Sequence, residues 1–200
     1  MGENIESSPL HMQDKILLSI LILSIPERHT SFLTRLLRQL EMQALGQPVE
    51  ILVFTDNRQR TIGEKRNQLV ALAKGDYFCF VDDDDRVAPD YVIHILRALH
   101  SKPDCVVFDA WVTLNGIRGK ICKYGKEYQH RNGAAAYYRR PNHIMVHRRD
   151  NVKDIQFLAL NFGEDDEWAT RVVERVKKQV RIPKILYYYD YSRTTSRSGR

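Results

Sequence analysis

Long apolar runs are missing from this chain. No stretch reaches the roughly 18 residues that a membrane-spanning helix needs. The greasiest segment, Ile16 to Ile25, is too short and contains Ser19 and Ser24. It ends in Pro26-Glu27-Arg28, so no small-residue cleavage site follows a signal-like core. Cysteine is scarce as well. Cys79, Cys105 and Cys122 are odd in number and lack metal-ligand spacing, which excludes a disulfide scaffold or a zinc finger and points to reduced thiols in a cytoplasmic protein. There is no Walker loop, no GxGxxG, and no Ser/His/Asp or Cys/His motif. Internal repeats and low-complexity tracts are absent too.

What remains is an ordinary globular composition. The 200 residues are 43% apolar and 28% charged. That is enough to bury a core without metal or disulfide staples. The net charge is +6 and the pI about 9.2, a balance that suits an anionic partner without choosing among nucleotide, nucleic acid and membrane surface.

Strand and helix signals alternate over the first 110 residues. Ile16 to Ile25 reads as a buried strand. Thr30 or Ser31 can cap a helix with Phe32, Leu33, Leu36, Leu37 and Leu40 on its apolar face. Val49 to Phe54 is a second strand. Thr61-Ile62-Gly63-Glu64 matches a capping box and opens a helix through Ala73. Tyr77 to Val81 is a third strand, Pro89 starts a helix to His100, and Cys105 to Phe108 is a fourth strand. This pattern predicts an α/β fold with a mostly parallel central sheet flanked by helices. Residues 112–150 predict short strands and loops. Glu164 to Val180 predicts a helix, and Ile185 to Tyr189 a last strand.

Two acidic clusters stand out. Asp82-Asp83-Asp84-Asp85 follows directly on the third strand, and ligands of open parallel sheets bind at strand C-termini. Two unit charges 4 Å apart repel by about 1 kcal/mol in water and about 4 at a dielectric of 20. A divalent cation, magnesium or manganese, would relieve that repulsion; a solvated acidic turn is the plainer reading. Asp56 ends the second strand in the same sense and can meet a ribose or base, or close an Asx-turn. Arg66, in Lys65-Arg66-Asn67, can fork onto a diphosphate or face solvent, and Asn67 can tie loops together. Gly163-Glu164-Asp165-Asp166-Glu167 precedes a helix, where acids either answer the macrodipole or supply a general base. His143 and His147 lie in a basic stretch; His143 is either a structural histidine or a ligand.

Together, Gly63-Glu64-Lys65-Arg66-Asn67, Ala73-Lys74-Gly75-Asp76-Tyr77, Phe80-Val81-Asp82-Asp83-Asp84-Asp85, Pro89-Asp90 and Gly163-Glu164-Asp165 resemble the motifs of the family 2 glycosyltransferases. The resemblance spans about Leu18 to Val173. It implies a GT-A fold and a metal-assisted, inverting transfer of sugar from a nucleoside-diphosphate sugar, a UDP-sugar first among them, to an acceptor hydroxyl. By that resemblance Asp84 and Asp82 hold the metal (manganese or magnesium), and Asp82 and Asp83 lie in the Asp-x-Asp motif beside the donor. It also implies that Asp56 meets the nucleoside, Arg66 the diphosphate, and Asp165 acts as base. The turn Ser24-Ile25-Pro26-Glu27-Arg28 departs from the family's Pro-Thr-Tyr-Asn-like turn, and Ser24 and Pro26 stand at the donor in its place.

The expected organisation is a leading segment 1–14 outside the fold, one catalytic domain over 15–191, and a flexible basic tail over 192–200 that closes on bound nucleotide. Within the domain, 15–110 forms the nucleotide-sugar half and 111–191 the acceptor half. The acceptor stays open among a glycan, a lipid-linked molecule, a small molecule and a modified nucleic acid. Two rivals remain: a nucleotidyltransferase, which would want a glycine-rich loop where Ser24 to His29 has none, and an inactive protein of the same fold that binds nucleic acid.

Overall fold

The computed structural model describes residues 15–191. The leading segment 1–14 and the basic tail 192–200 lie outside the described residues. Ten strands form one mixed sheet: β1 Leu18–Ser24, β2 Val49–Thr55, β3 Tyr77–Phe80, β4 Arg86–Val87, β5 Cys105–Leu114, β6 Ile117–Tyr124, β7 Arg131–Asn132, β8 Ala136–Arg139, β9 Val146–Arg148 and β10 Gln179–Tyr191. Five helices accompany them: α1 Thr34–Ala44, α2 Ile62–Leu72, α3 Tyr91–Leu99, α4 Arg149–Val152 and α5 Glu164–Val172.

The longest ladders are parallel, as the alternating pattern predicts. β1 pairs in parallel with β2 on one side and β3 on the other. Because β3 and β1 are covered on both faces, they are mostly apolar: Leu18, Ile20, Leu21, Ile22, Phe78, Cys79 and Phe80 have no exposure, and Ser19 and Ser24 of β1 are buried with them. One face packs against Leu36 and Leu40 of α1 and Tyr91, Val92 and Ile95 of α3. The other packs Leu21, Phe78 and Phe80 against Leu69 of α2, Phe157, and Trp168 of α5. Phe157 stacks on Trp168 at 4.5 Å between ring centroids.

Beyond β3 the topology changes. β9 runs antiparallel between β3 and β5. β10 pairs in parallel along one edge of β5 from Cys105 to Leu114. The opposite edge is therefore shared: β9 takes Cys105 and Val106, and β6 takes Asp109 to Leu114. The hairpin between β5 and β6 turns at Asn115 and Gly116, both at positive φ (50° and 75°), as a two-residue turn of the primed kind demands. β8 adds to β6 and β7 to β8.

Three local expectations are corrected. The first helix does not start from a side-chain cap at Thr30 or Ser31. Pro26 opens a 3-10 turn over Pro26–Arg28, a wider π turn follows over His29–Leu33, and α1 begins only at Thr34. The helix from Glu164 ends at Val172 rather than Val180. Asp104 accepts the backbone N–H groups of Lys177 and Lys178 at 3.1 and 2.8 Å and draws the chain into β10 beside β5. The fourth and last strands also run longer than predicted, to Leu114 and from Gln179. The three cysteines are buried and unpaired. Among the described residues no helix is long and apolar enough to cross a membrane.

Candidate active site

The C-terminal ends of β1, β2 and β3 meet at one rim, where the sequence-predicted residues fall into three linked groups. The first is built on the turn after β1. Ser24 donates its hydroxyl to Asp83 Oδ2 at 2.6 Å, and Arg28 Nη1 donates to Asp83 Oδ1 at 2.8 Å. Arg28 Nη2 also lies 3.3 Å from Asp84 Oδ2. Asp83 is thus buried with both oxygens engaged, while Pro26 is exposed at the start of its turn. Burial pushes the Asp84 carboxyl up to about 6, with Asp82 and Asp83 adding to the rise and Arg28 opposing it. Asp85 is buried and accepts the Tyr187 hydroxyl at 2.6 Å, and the same hydroxyl accepts the Asp82 N–H at 3.0 Å. Burial, then Asp82 and Asp84, raise the Asp85 carboxyl well above its ordinary value.

The second group sits at the end of β2. Asp56 is buried; Lys65 Nζ donates to its Oδ1 at 2.9 Å, and the Arg60 N–H to its Oδ2 at 3.0 Å. The Asx-type turn and the strand-end carboxylate are therefore one feature. Burial alone would raise this carboxyl, but the Lys65 and backbone hydrogen bonds bring it below its ordinary value. Lys65 reaches Asp56 because the capping box forms as predicted: Thr61 Oγ1 accepts the Glu64 N–H at 3.2 Å, and Glu64 accepts the Thr61 N–H at 2.8 Å. Gly63 is required by close approach, since a Cβ there would lie 1.8 Å from the Leu158 carbonyl oxygen.

The third group joins the two acidic motifs. Arg66 is buried over the rings of Phe80 (4.8 Å) and Phe157 (5.8 Å), so it is not a solvent-facing helix residue. Its Nε donates to Glu164 at 3.2 Å and its Nη2 to Asp82 at 3.4 Å. Its Nη1 is buried and has no hydrogen-bond partner among the described residues. His143 stands between the motifs, with Nε2 3.3 Å from Asp82 Oδ2 and Nδ1 3.3 Å from Asp165 Oδ2. The backbone fixes the ring's place, because the His143 carbonyl accepts the Phe80 N–H at 2.9 Å. Burial would raise Asp82 and Asp165. His143 and Arg66 outweigh it, holding Asp82 well below the usual carboxylate range and Asp165 at about 2.

α5 begins after Gly163, which adopts φ 79° and serves as N-cap without any side-chain cap bond. Asp165 faces His143 rather than capping the helix. The predicted loop tie also forms: Asn67 donates to the Phe157 carbonyl at 2.9 Å and accepts the Phe157 N–H at 2.8 Å. Sequence reasoning missed Arg28, Lys65 and Tyr187. The first two carried a signal, a cation close to a predicted acid-bearing turn. Tyr187 carried none, because its partners are 102 and 105 residues away. No three His, Cys, Asp or Glu side chains converge as a metal cage among the described residues.

The sheet order, the acid-tipped third strand and the acidic start of α5 define a nucleotide-sugar-transferase fold of the GT-A kind. The family model for glycosyl transferase family 2 matches residues 32–153, and the chain belongs to that family. In fold it is similar to TarS from S. aureus. The crystal structure of TarS 1–349 in complex with UDP-GlcNAc is 14% identical with a TM-score of 0.64, covering 88% of this chain and 59% of that one. The complex of TarS 1–349 with UDP gives 16% identity and a TM-score of 0.63 over 88% and 61%. A further TarS structure gives 15% and 0.63 over 88% and 37%. The chain thus spans less than two thirds of the solved chains it resembles. No curated protein matches it.

Proposed function

We propose that the protein is an inverting glycosyltransferase that moves a sugar from a nucleoside-diphosphate sugar to an acceptor hydroxyl, with Asp165 as general base. The observation that carries this reading is the convergence of two sequence-distant acidic motifs on His143, which leaves Asp165 ionised beside the rim where the donor would lie. The UDP and UDP-GlcNAc complexes of the TarS fold relatives support a UDP-sugar donor.

The donor set fits a divalent cation that arrives with the diphosphate. Asp83 is engaged by Ser24 and Arg28, and Asp85 by Tyr187; Asp84 meets only Arg28 through Oδ2, and Asp82, whose contacts to Arg66 and His143 are the longer ones at 3.4 and 3.3 Å, would join it by exchanging one of them for the ion. Two carboxylates plus substrate phosphates are a normal magnesium or manganese set. Bound there, the ion would neutralise charge on the leaving diphosphate. Ser24 and Arg28 hold the acidic turn in shape. Asp56, whose carboxylate keeps lone pairs beyond its two bonds, accepts from the nucleoside. Arg66 turns its unpartnered Nη1 to the departing phosphate, where a forked charged contact is strongest. Asp165 takes the acceptor's proton as its oxygen attacks the anomeric carbon opposite the leaving group, and His143 keeps the carboxylate aimed. The three buried thiols support a reducing setting, the cytoplasm.

Calorimetry with UDP tests the donor reading. Affinity is expected to fall at least tenfold when manganese is replaced by EDTA, and equally in Asp84→Ala with manganese present. Equal UDP affinity under all three conditions would remove the metal from the mechanism.

A further inference from the structure

The chain's excess positive charge is confined to one segment. Residues 117–140 hold seven Lys and Arg (Arg118, Lys120, Lys123, Lys126, Arg131, Arg139 and Arg140) against Glu127 alone. The rest of the chain holds 24 of each sign, so this segment accounts for the whole net charge of +6. Elsewhere cations are widely paired with carboxylates, as Arg28, Lys65, Arg66, Arg171 and Lys184 are. Among the described residues none of the seven meets a carboxylate as a salt bridge. Lys120 and Arg139 donate to backbone carbonyls of Gly133 and Arg131, and Arg140 to Thr170 Oγ1 at 3.0 Å.

The segment borders the proposed base. The register pairs Cys122 with Tyr137 and Tyr124 with Arg139, so Lys120, Tyr124, Tyr137 and Arg139 share one face of β6 and β8. The Tyr124 hydroxyl feels both Asp165 and Arg139 electrostatically. His130 lies 3.5 Å from Asp166, the neighbour of Asp165, and Arg140 touches α5 at Thr170. From Tyr124 to Lys120 this face runs about 13 Å outward at about 3.3 Å per residue.

We infer that this cationic face receives the acceptor, and that the acceptor is an acidic glycan whose anionic groups pair with Lys120, Arg139 and Arg140 while one hydroxyl reaches Asp165. This rests on the transferase reading and adds the substrate class. Lys120 and Arg139 on this face, with Arg140 just beyond the end of β8, have no carboxylate partner among the described residues, and an anionic chain would supply one. A glycan fits better than a single-stranded nucleic acid, whose bases need open aromatic faces for stacking. Here Lys120 and Arg139 lie over the Tyr137 ring at 4.8 and 5.5 Å, and Arg131 lies over Tyr138 at 4.4 Å.

Fluorescence anisotropy on the full chain, without nucleotide, tests this with labelled polygalacturonate as probe. Dextran of matched length and oligothymidylate serve as comparisons from 50 to 200 mM salt. Polygalacturonate is expected to bind at least tenfold more tightly than either. Three released counterions give a log–log salt slope of about 2, hence about twentyfold weakening over that range by the rule for single strands. The double variant Lys120→Gln/Arg140→Gln keeps donors for Gly133 and Thr170 and should lower the slope by about 1.4. Equal binding of dextran, tighter binding of oligothymidylate, no binding of polygalacturonate, or a parental slope in the variant would each overturn the inference. UDP calorimetry on the same preparations separates the two readings. Intact UDP binding with any of those outcomes sinks the acidic glycan alone; polygalacturonate binding without UDP binding sinks the transferase alone.

Discussion

Replacing Asp165 by asparagine separates catalysis from architecture. The side chain is 32% exposed and lies 3.3 Å from His143 Nδ1. Its carboxyl falls from 3.8 to about 2 because His143 and Arg66 outweigh burial. At 1.36 kcal/mol per pKa unit the charge contributes at most about 2.5 kcal/mol to folding. Partial exposure and screening reduce that to about 1 kcal/mol. Asparagine keeps an oxygen for His143, so melting should drop by about 2–4 °C. A general base contributes about 10²–10⁴-fold, so transfer should fall at least a hundredfold, or about 2.7 kcal/mol in barrier. The assay is UDP release from a UDP-sugar with and without acceptor, beside UDP calorimetry and a melting curve. UDP affinity should stay within twofold, because the base faces the acceptor. Asp166→Asn is the control, its side chain being 66% exposed and in contact with His130. Glu164→Gln is not a control, because Glu164 is buried against Arg66. A folded Asp165→Asn protein that transfers within threefold of the parent would refute the assignment. An acid limb near pH 6 that this variant abolishes would instead overturn the low carboxyl value and leave the base assignment standing, since a carboxyl at about 2 is ionised throughout that range.

Removing the tether should behave differently. His143→Ala is expected to lower the UDP release rate about tenfold with UDP affinity within threefold, and His143→Gln to recover part of the rate; equal loss in both variants would deny it a positioning role. Asn67→Ala orphans the Phe157 N–H and carbonyl and should cost about 2 kcal/mol, read as a lower urea midpoint at unchanged slope. The Asp56 carboxyl is depressed in the fold, so its stabilising share is complete above about pH 4 and is lost as pH falls through the lowered value. Lys65→Met should flatten that acid limb of stability in urea titrations between pH 2 and pH 5; an unchanged limb would place the acid sensitivity elsewhere.

Much of the rim at the ends of β2 and β3 is legible in the sequence because it is local. The capping box at Thr61 and Glu64, the apolar β3 and the acids at its end each occupy a few consecutive residues, and their chemistry survives in the sequence alone. The start of α1 was misplaced because Pro26 forces a tight turn that no apolar period records. The end of α5 was misplaced because Val172, Val173 and Val176 keep a helical spacing past the point where Asp104 captures the chain. Capping and catalysis at Asp165 could not be told apart from sequence, since both ask for an acid at a helix start. That Asp165 faces His143, 22 positions earlier, instead of capping α5 is visible only in the fold, which brings the two within 3.3 Å. Tyr187 and the shared edge of β5 are likewise products of pairing over long separations.

The shared edge of β5 has a further consequence. One continuous strand is both the last rung beside the layer of β1, β2 and β3, through β9, and the first rung of the layer of β6, β8 and β7, through β6. Its far end is the Asn115–Gly116 turn, whose neighbours Leu114 and Ile117 are exposed. Lengthening both arms of that hairpin by two residues preserves which side chains face which way and leaves Cys105 to Asp109 untouched. The outer sheet would then extend about 7 Å with the rim at the ends of β1, β2 and β3 unchanged. A one-residue insertion beside Asp109 would instead turn the outer half of the strand over. Variation in the reach of this outer sheet is therefore cheap in even steps at the hairpin tip and forbidden in odd steps at its base, so the sheet can change length there while the rim at the ends of β1, β2 and β3 keeps its geometry.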